Sequence, residues 1–420
     1  MESSRLAAAR TVIRITKDSA YSSIELSNNT TQFGDNANEK ALYAAIVRTV
    51  IERKNTLDFI IGMFVRKKPD PTVTGLLYVG IVQLLYLSKI PDSAACDETV
   101  KAAKVLTDEK RSGFVNGVLR NICRSREKIN AELQKADDCV KYSMDESILK
   151  LLKKQYPDEY ETVASASFSR PPMCLRVNTL KTAAAELVNE LAEKGVVCES
   201  DGSLINVKNG NEKVLPLLED GKFYVQGRPS QFAVKLLGAK KGMIVIDVCA
   251  CPGGKTVGAA IDMENEGRVI ALDIHENKLS LIKKTASRLG IGIIETSVND
   301  SRTVREELVC QADRVICDVP CSSLGVLSSK PEIRYKKTDD LKNLYETQYA
   351  ILCASAEYLK KGGRMVYSTC TFNENENSAQ VHRFIESKRD FTLVEEHRFI
   401  TDNGCFDGFY AALIERKNND

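Results

Sequence analysis

The sequence lacks any long apolar run, because no hydrophobic stretch reaches the roughly 18 residues that a membrane-spanning helix needs. Its first residues also lack the basic and apolar regions of a secretory signal peptide. The 13 cysteines are scattered, odd in number and without the paired spacing of a zinc site, although Cys249 and Cys251 would match half of one. We therefore expect a cytoplasmic protein with reduced thiols, no membrane anchor and no bound metal.

An excess of charge of one sign is also missing. The 59 Lys and Arg residues nearly balance the 57 Asp and Glu residues, which leaves a net charge of +2. The total charge therefore does not indicate a polyanionic partner, although basic residues can still cluster on one face. At 420 residues, 43% of them hydrophobic, the chain predicts two or three domains with buried cores.

The first part of the chain has helical periodicity throughout. Leu6, Val12 and Ile13 recur at helical spacing, and VTGLLYVGIVQLLYL is apolar on all sides, as in a central buried helix. These features predict an all-α bundle of roughly six helices.

Short words within this part resemble the NusB-like RNA-binding domain. LYVGIVQLLYLSKIPDSAACDETVKAAK is followed by GFVNGVLRNI, and the resemblance covers most of residues 5–130. A generic helical bundle would explain the periodicity but not these words in this order. The resemblance implies RNA binding, with Arg48, Arg120 and Arg124 either as phosphate contacts or as ordinary solvated side chains.

A shorter α/β pattern follows. DESILKLLKKQYPDEYETVASASF predicts two short helices, RPPMCLRVNTLK a strand, and TAAAELVNELAEKGVVCES a helix and a strand. This suits a small α/β platform of the RNA-recognition type. LRVNTLK followed by YVQGRPSQFAVKLL resembles the connector of the Nop/Sun RNA methyltransferases.

The last part alternates strand and helix patterns. Strands are predicted at MIVIDVC, RVIALDI, IIETSV, DRVICDV and RMVYSTC, with helices such as HENKLSLIKKTASRLG and DLKNLYETQYAILCASAEYLKK between them. This indicates a parallel, Rossmann-like sheet, with FTLVEEHRFI and GFYAALIER as a final antiparallel pair. We thus predict an all-α domain at 1–135, an α/β connector at 136–225 and a Rossmann-like α/β domain at 226–420.

The stretch CACPGGKT, residues 249–256, forms the first strand-to-helix turn, where ligands of parallel sheets bind. Gly253 and Gly254 let the backbone approach a ligand closely. The loop supplies neither G-x-G-x-x-G nor, with Ala250 in place of glycine, G-x-x-x-x-G-K-[ST]. Dinucleotide and nucleoside triphosphate binding are therefore disfavoured.

Two acids after later strands point to a different cofactor. Asp273 ends the next strand about 20 residues after Gly253, the separation of a ribose-binding acid, although it can also cap the following helix. Asp300 follows the third strand, where an acid can accept the exocyclic amine of adenine. Ribose and adenine without a pyrophosphate loop indicate S-adenosylmethionine.

Four motifs, DVCACPGGKT, DVPCSSLG, SSKPEIRY and YSTCTFNENEN, occur in the order found in the Nop/Sun family of RNA cytosine-C5 methyltransferases, which the chain resembles over nearly its whole length. The departures are small: the first loop commonly has alanine, and no proline follows YSTC. The resemblance implies a class I methyltransferase domain, S-adenosylmethionine as cofactor and, with a NusB-like domain in front, 16S rRNA as partner of a monomer. It places the cofactor on Cys249, Ala250, Cys251, Pro252, Gly253, Gly254, Lys255, Asp273, Asp300 and Asp318.

The chemistry of C5 methylation needs a thiolate that adds at C6, a partner for N3 and a base for the C5 proton. Cys321 and Cys370 follow adjacent strands, and their spacing does not say which attacks. The resemblance implies Cys370 as nucleophile, because RNA enzymes use the Thr-Cys word and DNA enzymes the Pro-Cys word. It further implies that Cys321 helps release the product, that Asp318 faces N3 and N4, and that Lys255 lies near the base or cofactor.

Two other classes of protein compete with this interpretation. A non-catalytic RNA-binding factor would not need both cysteines and Asp318, and an amino-methyltransferase would carry a word like Asn-Pro-Pro-Tyr in place of DVPCSS. SSKPEIRY is expected to order a loop over the RNA, with Arg334 either contacting phosphate or capping a helix.

Overall fold

A computed structural model describes residues 3–18, 33–34, 36–402 and 405–418. It divides the chain into two compact units. The helical unit consists of Met1–Phe168 together with Ser329–Thr338, and the sheet unit consists of Ser169–Ser328 together with Asp339–Asp420. Residues 136–168, which the sequence assigned to the connector, thus belong to the helical unit; the domain boundaries at 135 and 225 stay predictions.

The helices of the helical unit pack around one buried helix, α4, in which Asp70 accepts the N–H groups of Thr72 and Val73 and Pro71 occupies the first turn. The bundle predicted from the sequence is confirmed. The described helices are α1 (Ser4–Asp18), α2 (Ala37–Glu52), α3 (Lys54–Phe64), α4 (Pro71–Leu85), α5 (Asp92–Leu106), α6 (Glu109–Arg124), α7 (Arg126–Lys135), α8 (Asp138–Lys141), α9 (Glu146–Gln155) and α10 (Tyr160–Ala166).

Two residues of the YVGIVQ word have structural roles in this core. A Cβ on Gly80 would lie 2.6 Å from the side chain of Leu119, so glycine allows α4 and α6 to approach closely. Gln83 is buried; its amide donates to Thr99 at 3.2 Å and accepts from Arg5 at 2.7 Å. Both residues therefore fix the packing of the bundle.

The sheet unit begins with a small four-stranded antiparallel sheet in the order β2-β3-β1-β4. Arg176, on β1, is buried and donates to Asp262 at 2.6 Å, which fastens the small sheet to the larger α/β part of the same unit. The elements are β1 (Met173–Val177), α11 (Ala184–Glu193), β2 (Val197–Asp201), β3 (Leu204–Asn209), α12 (Asn211–Val214) and β4 (Phe223–Val225).

The larger sheet has seven strands in the order β10-β11-β9-β8-β5-β6-β7, with β5 to β9 parallel and β11 antiparallel to both neighbours. This confirms the Rossmann-like sheet and its final antiparallel pair. One detail differs, because the predicted helix tail YLKK lies largely in β9. The elements are α13 (Arg228–Leu237), β5 (Ile244–Asp247), α14 (Gly254–Asp262), β6 (Arg268–Asp273), α15 (Glu276–Leu289), β7 (Ile294–Val298), β8 (Ala312–Asp318), α16 (Lys342–Glu357), β9 (Leu359–Thr369), α17 (Ser378–Ser387), β10 (Phe391–Asp402) and β11 (Cys405–Arg416).

This topology brings the ends of parallel strands to one edge. Asp247, Asp273, Asp318 and Thr369 are the last residues of β5, β6, β8 and β9. Because parallel strands share a direction, the loops that follow them meet at the same edge of the sheet. Within the described part of the chain, no helix is both long and apolar enough to cross a membrane.

Candidate active site

A cavity of about 600 Å³ lies at this edge of the sheet unit, between the loops that follow β5, β6, β7 and β8. Thr347 and Ile351 on α16 close one side of it. Seven residues predicted from the sequence line the cavity: Cys249, Cys251, Asp273, Asp300, Asp318, Cys321 and Cys370. Ala250, Pro252, Gly253, Gly254 and Lys255 are not among the lining residues.

The loop after β5 needs glycine for its shape. Gly253 has a φ of +105° at the start of α14, and a Cβ there would lie 3.0 Å from Ile282. Ala250 donates its N–H to the carbonyl of Leu272 at 2.9 Å, which ties the loop to β6. Thr256, the last residue of the motif, donates its hydroxyl to Asp247 at 2.6 Å. The loop is therefore held from both sides.

The two cysteines of this loop are not activated. Burial raises the pKa of Cys249 well above its ordinary value. Burial and the adjacent Asp273 raise the pKa of Cys251 to about 12. Both thiols are therefore protonated at neutral pH and are poor nucleophiles.

Asp273 is held at the cavity by backbone donors. One carboxylate oxygen accepts the N–H of Cys251 at 3.1 Å and the other accepts the N–H of His275 at 2.9 Å. The first bond connects the end of β6 to the glycine loop. Asp273 thus faces the cavity at the place where the spacing predicted a ribose-binding acid, and that role stays a prediction.

Asp300 and Asn299 occupy the next loop. Arg302 binds the Asp300 carboxylate with two guanidinium nitrogens, at 2.6 Å and 3.0 Å, and these hydrogen bonds lower the pKa of Asp300. Asn299, which the sequence did not single out, also lines the cavity.

Lys255 and Asp318 form an ion pair behind the cavity. Lys255 Nζ donates to Asp318 Oδ2 at 2.6 Å, and Ser368 donates its hydroxyl to Oδ1 at 2.6 Å. Burial opposes the charge on Lys255, but Asp318 raises the pKa of this ammonium above its ordinary value. The pair therefore fixes a carboxylate at the cavity wall with a cation directly beside it.

The two cysteines predicted as catalytic lie next to each other. Cys321 Sγ and Cys370 Sγ are 3.1 Å apart, and Cys370 Sγ is 3.8 Å from the hydroxyl of Ser323. The hydrogen bond from Cys321 lowers the pKa of Cys370, whereas the same contact, together with burial, raises the pKa of Cys321 well above its ordinary value. The geometry thus favours a Cys370 thiolate that accepts from a Cys321 thiol.

A buried glutamate joins the loops that carry these cysteines. Glu376 is fully buried and accepts the N–H of Ser322 at 2.7 Å, the amide of Gln348 at 2.9 Å and the amide of Asn373 at 2.9 Å. Ser322 follows Cys321, and Glu376 follows Cys370 by a few residues. Glu376 belongs to the motif YSTCTFNENEN, but the sequence alone indicates no role for this residue.

A close backbone contact holds the same two loops. Gly325 donates its N–H to the carbonyl of Cys370 at 2.9 Å, and Gly408 donates to the carbonyl of Gly325 at 2.9 Å. A Cβ on Gly325 would lie 1.7 Å from the carbonyl oxygen of Gly408. The glycine that ends DVPCSSLG is therefore required by this approach.

Arg334 lies elsewhere. Its side chain is fully buried in the helical unit, where the guanidinium donates to the carbonyl of Tyr142 at 3.1 Å and to the carbonyl of Ser167 at 2.5 Å. Ser167 is the C-terminal cap of α10, so the buried Arg334 caps a helix. Residues 329–338 belong to the helical unit, and the role of SSKPEIRY in ordering a loop over the RNA stays a prediction.

The three arginines suggested as phosphate contacts have different environments. Arg48 is paired with Glu52 at 2.6 Å, and Arg120 donates to the side chain of Asn116 at 3.0 Å. Arg124 is exposed at the end of α6. Their contact with RNA stays a prediction.

Three protein-family models match successive parts of the chain. The NusB family model matches residues 2–124, a ferredoxin-like domain model of RsmF/B-like methyltransferases matches residues 146–205, and the model described as 16S rRNA methyltransferase RsmB/F matches residues 234–408. These matches follow the order of the folds described above. The fold and site thus define a methyltransferase that acts on RNA.

Relatives specify this further. The chain is 35% identical over 91% of its length to the probable ribosomal RNA small subunit methyltransferase B of Bacillus subtilis, 88% of which is covered. It is 32% identical over 81% of its length to the ribosomal RNA small subunit methyltransferase B of Proteus mirabilis, 81% of which is covered. A methyltransferase homologue from Pyrococcus horikoshii has a similar structure, with a TM-score of 0.60 and 26% identity over 66% of this chain and 97% of its own. The chain belongs to the ribosomal RNA small subunit methyltransferase B family.

The activity of this family is S-adenosylmethionine-dependent methylation of cytosine C5 in ribosomal RNA. The cavity fits that cofactor. Its volume of about 600 Å³ lies within the usual range for small-molecule sites, roughly 300–1,000 Å³. It also offers a fixed carboxylate in Asp273, which suits the hydroxyl groups of the cofactor's ribose.

Proposed function

We propose that the protein methylates C5 of cytosine 967 in 16S ribosomal RNA, in the cytoplasm and as a monomer, through a covalent bond between Cys370 and C6 of the base. The observation that carries the chemistry is the 3.1 Å contact between the Cys321 and Cys370 sulfurs, with pKa shifts in opposite directions. One sulfur is thereby prepared as nucleophile and the other as its hydrogen-bond donor.

The site residues act in sequence on the RNA base, which must first leave its stack. The Cys370 thiolate forms a bond to C6, and the C5–C6 electron pair becomes available at C5 as the ring turns into an enamine. S-adenosylmethionine, when bound, would supply the methyl group that C5 takes up, with the bond between that methyl group and the sulfonium sulfur breaking to leave a neutral thioether. Asp318 orients N3 and N4, and its fixed ion pair with Lys255 keeps it in place.

Release requires two further events. The C5 proton is removed by a base, after which the electron pair re-forms the C5–C6 double bond and the bond between Cys370 sulfur and C6 breaks. Cys321 lies 3.1 Å from the departing sulfur, so it can stabilise the thiolate that leaves. Cys321 is therefore the residue on which product release depends.

The test compares Cys321→Ala, Cys370→Ala and the double substitution, each incubated with RNA substrate and cofactor and then run on a denaturing gel. Cys321→Ala should give an RNA-dependent shifted band, because the smaller fraction of Cys370 thiolate still attacks and methyl transfer follows, while release fails. Cys370→Ala and the double variant should give none. A band with Cys370→Ala alone would exchange the two roles.

The target base is tested separately, by mapping 5-methylcytosine in ribosomal RNA from cells with and without the protein. Loss of the modification at cytosine 967 of 16S rRNA alone is the expected result. Loss at another cytosine, with position 967 still methylated, would contradict the assignment of the site and leave the chemistry intact.

A further inference from the structure

The helical unit contains a second cavity, of about 580 Å³, which shares no lining residue with the cofactor cavity. Arg53, Arg126 and Lys141 line it together with the amide side chains of Asn130 and Gln134. Among the described residues that line it, none carries a carboxylate. We call it the basic cavity.

Arg53 is the central cation of the basic cavity. It lies between α2 and α3, and its guanidinium carbon is 3.5 Å from the ring centroid of Phe168 and 4.9 Å from that of Tyr86. Burial lowers its pKa, which means that the charge is partly removed from water. The neighbouring Glu52 is paired with Arg48 at 2.6 Å, although its charge still favours the charged form of Arg53.

Arg126 and Lys141 are the other two cations that line the basic cavity. Arg126 uses one terminal nitrogen for the carbonyl of Leu84 and for Asp92, while its Nε is buried without a partner among the described residues. Lys141 is exposed, and its ammonium lies 4.9 Å from the ring of Tyr142. Within the part of the chain that the structure describes, no acid pairs with Lys141.

This arrangement of cations favours the binding of an anion. A partly buried guanidinium normally has a carboxylate or phosphate partner, because removing an unpaired charge from water is costly. The planar donor set of arginine matches the oxygens of a phosphate group, and lysine and side-chain amides complete such sites. Stacking on two aromatic rings fixes the orientation of the Arg53 guanidinium before any ligand arrives.

We propose that the basic cavity binds a phosphate group of the ribosomal RNA backbone, with Arg53 as its central donor and Lys141 as a second contact. The proposal rests on the RNA-methylating function. It places a contact with the RNA in the helical unit, whereas the cofactor cavity and the two catalytic cysteines belong to the sheet unit. Phosphate contacts position a nucleic acid without reading its sequence, so the expected contribution is to affinity and not to the choice of base.

The test measures RNA binding by Arg53→Gln and Lys141→Gln over a series of KCl concentrations. The matched control is Lys128→Gln, which removes an exposed cation on α7 that does not line the cavity. Each cavity variant should bind more weakly and should lower the steepness of log K against log salt by about 1, because one phosphate contact is lost. The control should match the wild type in both RNA affinity and salt dependence.

The outcomes are separable. Cavity variants that keep the wild-type salt dependence while the wild type methylates RNA would overturn the basic cavity alone, whereas a wild type that methylates no RNA would overturn the proposed function. Lys141 is exposed, so Lys141→Gln remains informative if Arg53→Gln fails to fold. Thermal unfolding of the RNA-free protein with inorganic phosphate is the second measurement. Stabilisation by millimolar phosphate that Lys141→Gln abolishes, without any change in RNA affinity, would assign the cavity to a free phosphate ligand and contradict the RNA contact.

Discussion

At the level of single residues, the two thiols of the site differ because their neighbours differ. The contacts of Cys370 with Cys321 and Ser323 and the nearby ammonium of Lys255 lower its pKa, against the opposing effects of burial and Asp318. Cys321 instead faces the sulfur of Cys370 and the buried carboxylate of Glu376, which favour its neutral thiol. A thiolate is the nucleophilic form of cysteine, so these neighbours support the proposal that Cys370 attacks and Cys321 acts as its donor.

The first prediction concerns the protonation of Cys370. Cys321→Ala removes the main group that lowers the pKa of Cys370. The pH at which alkylation of Cys370 by iodoacetamide reaches half of its maximal rate should therefore be higher than in the wild type. Peptide mass spectrometry at Cys370 over a pH series measures this. Cys321→Ser, which keeps a donor, should fall between the two. An unchanged pH profile in Cys321→Ala would mean that Cys321 does not stabilise the thiolate.

At the level of elements, the ends of the parallel strands explain which site residues the sequence could predict. Asp273, Asp318 and Cys370 each end or directly follow a strand with a clear apolar pattern, so their convergence followed from strand direction alone. Glu376 and Gly325 could not be assigned in this way. Their roles depend on contacts between two loops, and the sequence pattern of neither loop specifies how closely they approach.

The segment of residues 329–338 shows the same limit more strongly. It lies between two elements of the sheet unit along the chain, yet it packs in the helical unit. Tyr335 donates its hydroxyl to the carbonyl of Ile51 at 2.6 Å and accepts the N–H of Lys54 at 3.0 Å. The backbone carbonyl of Arg334 accepts the N–H of Asp145 at 2.7 Å. Local sequence gives no sign of partners almost 300 positions away.

The second prediction tests this anchoring. Arg334→Met should lower the free energy of unfolding of the helical unit by roughly 2–4 kcal/mol, because the buried carbonyls of Tyr142 and Ser167 lose a charged donor. Urea unfolding monitored by circular dichroism measures the change. Lys337→Met, which replaces an exposed residue of the same segment, is the control and should have little effect. Equal stability of the two variants would rule out an anchoring role for Arg334.

At the level of the whole molecule, no single position in the chain separates the two units, because each unit contains two separate segments. The sequence pattern suggests that a fragment beginning near residue 140 is self-contained, because the parallel sheet and its cofactor cavity lie after that point. The structure divides the chain at different positions. The helical unit includes residues up to Phe168 and also Ser329–Thr338, so the isolated sheet unit carries a segment whose packing partners have been removed.

The last prediction separates the effect of that segment from the loss of RNA contacts. A fragment of residues 169–420 should unfold at a lower temperature than the same fragment with residues 329–338 replaced by a glycine-serine linker of equal length, because Pro331 and Arg334 are buried only within the helical unit. Thermal unfolding measures the difference.

The linker fragment should still bind S-adenosylmethionine in calorimetry, since the lining residues of the cofactor cavity all lie in the sheet unit. It should bind ribosomal RNA more weakly than the full chain and with a smaller salt dependence, because the cations of the basic cavity are gone. Equal unfolding temperatures for the two fragments would show that the segment is tolerated without its partners, and an RNA salt dependence equal to that of the full chain would remove the helical unit from RNA binding.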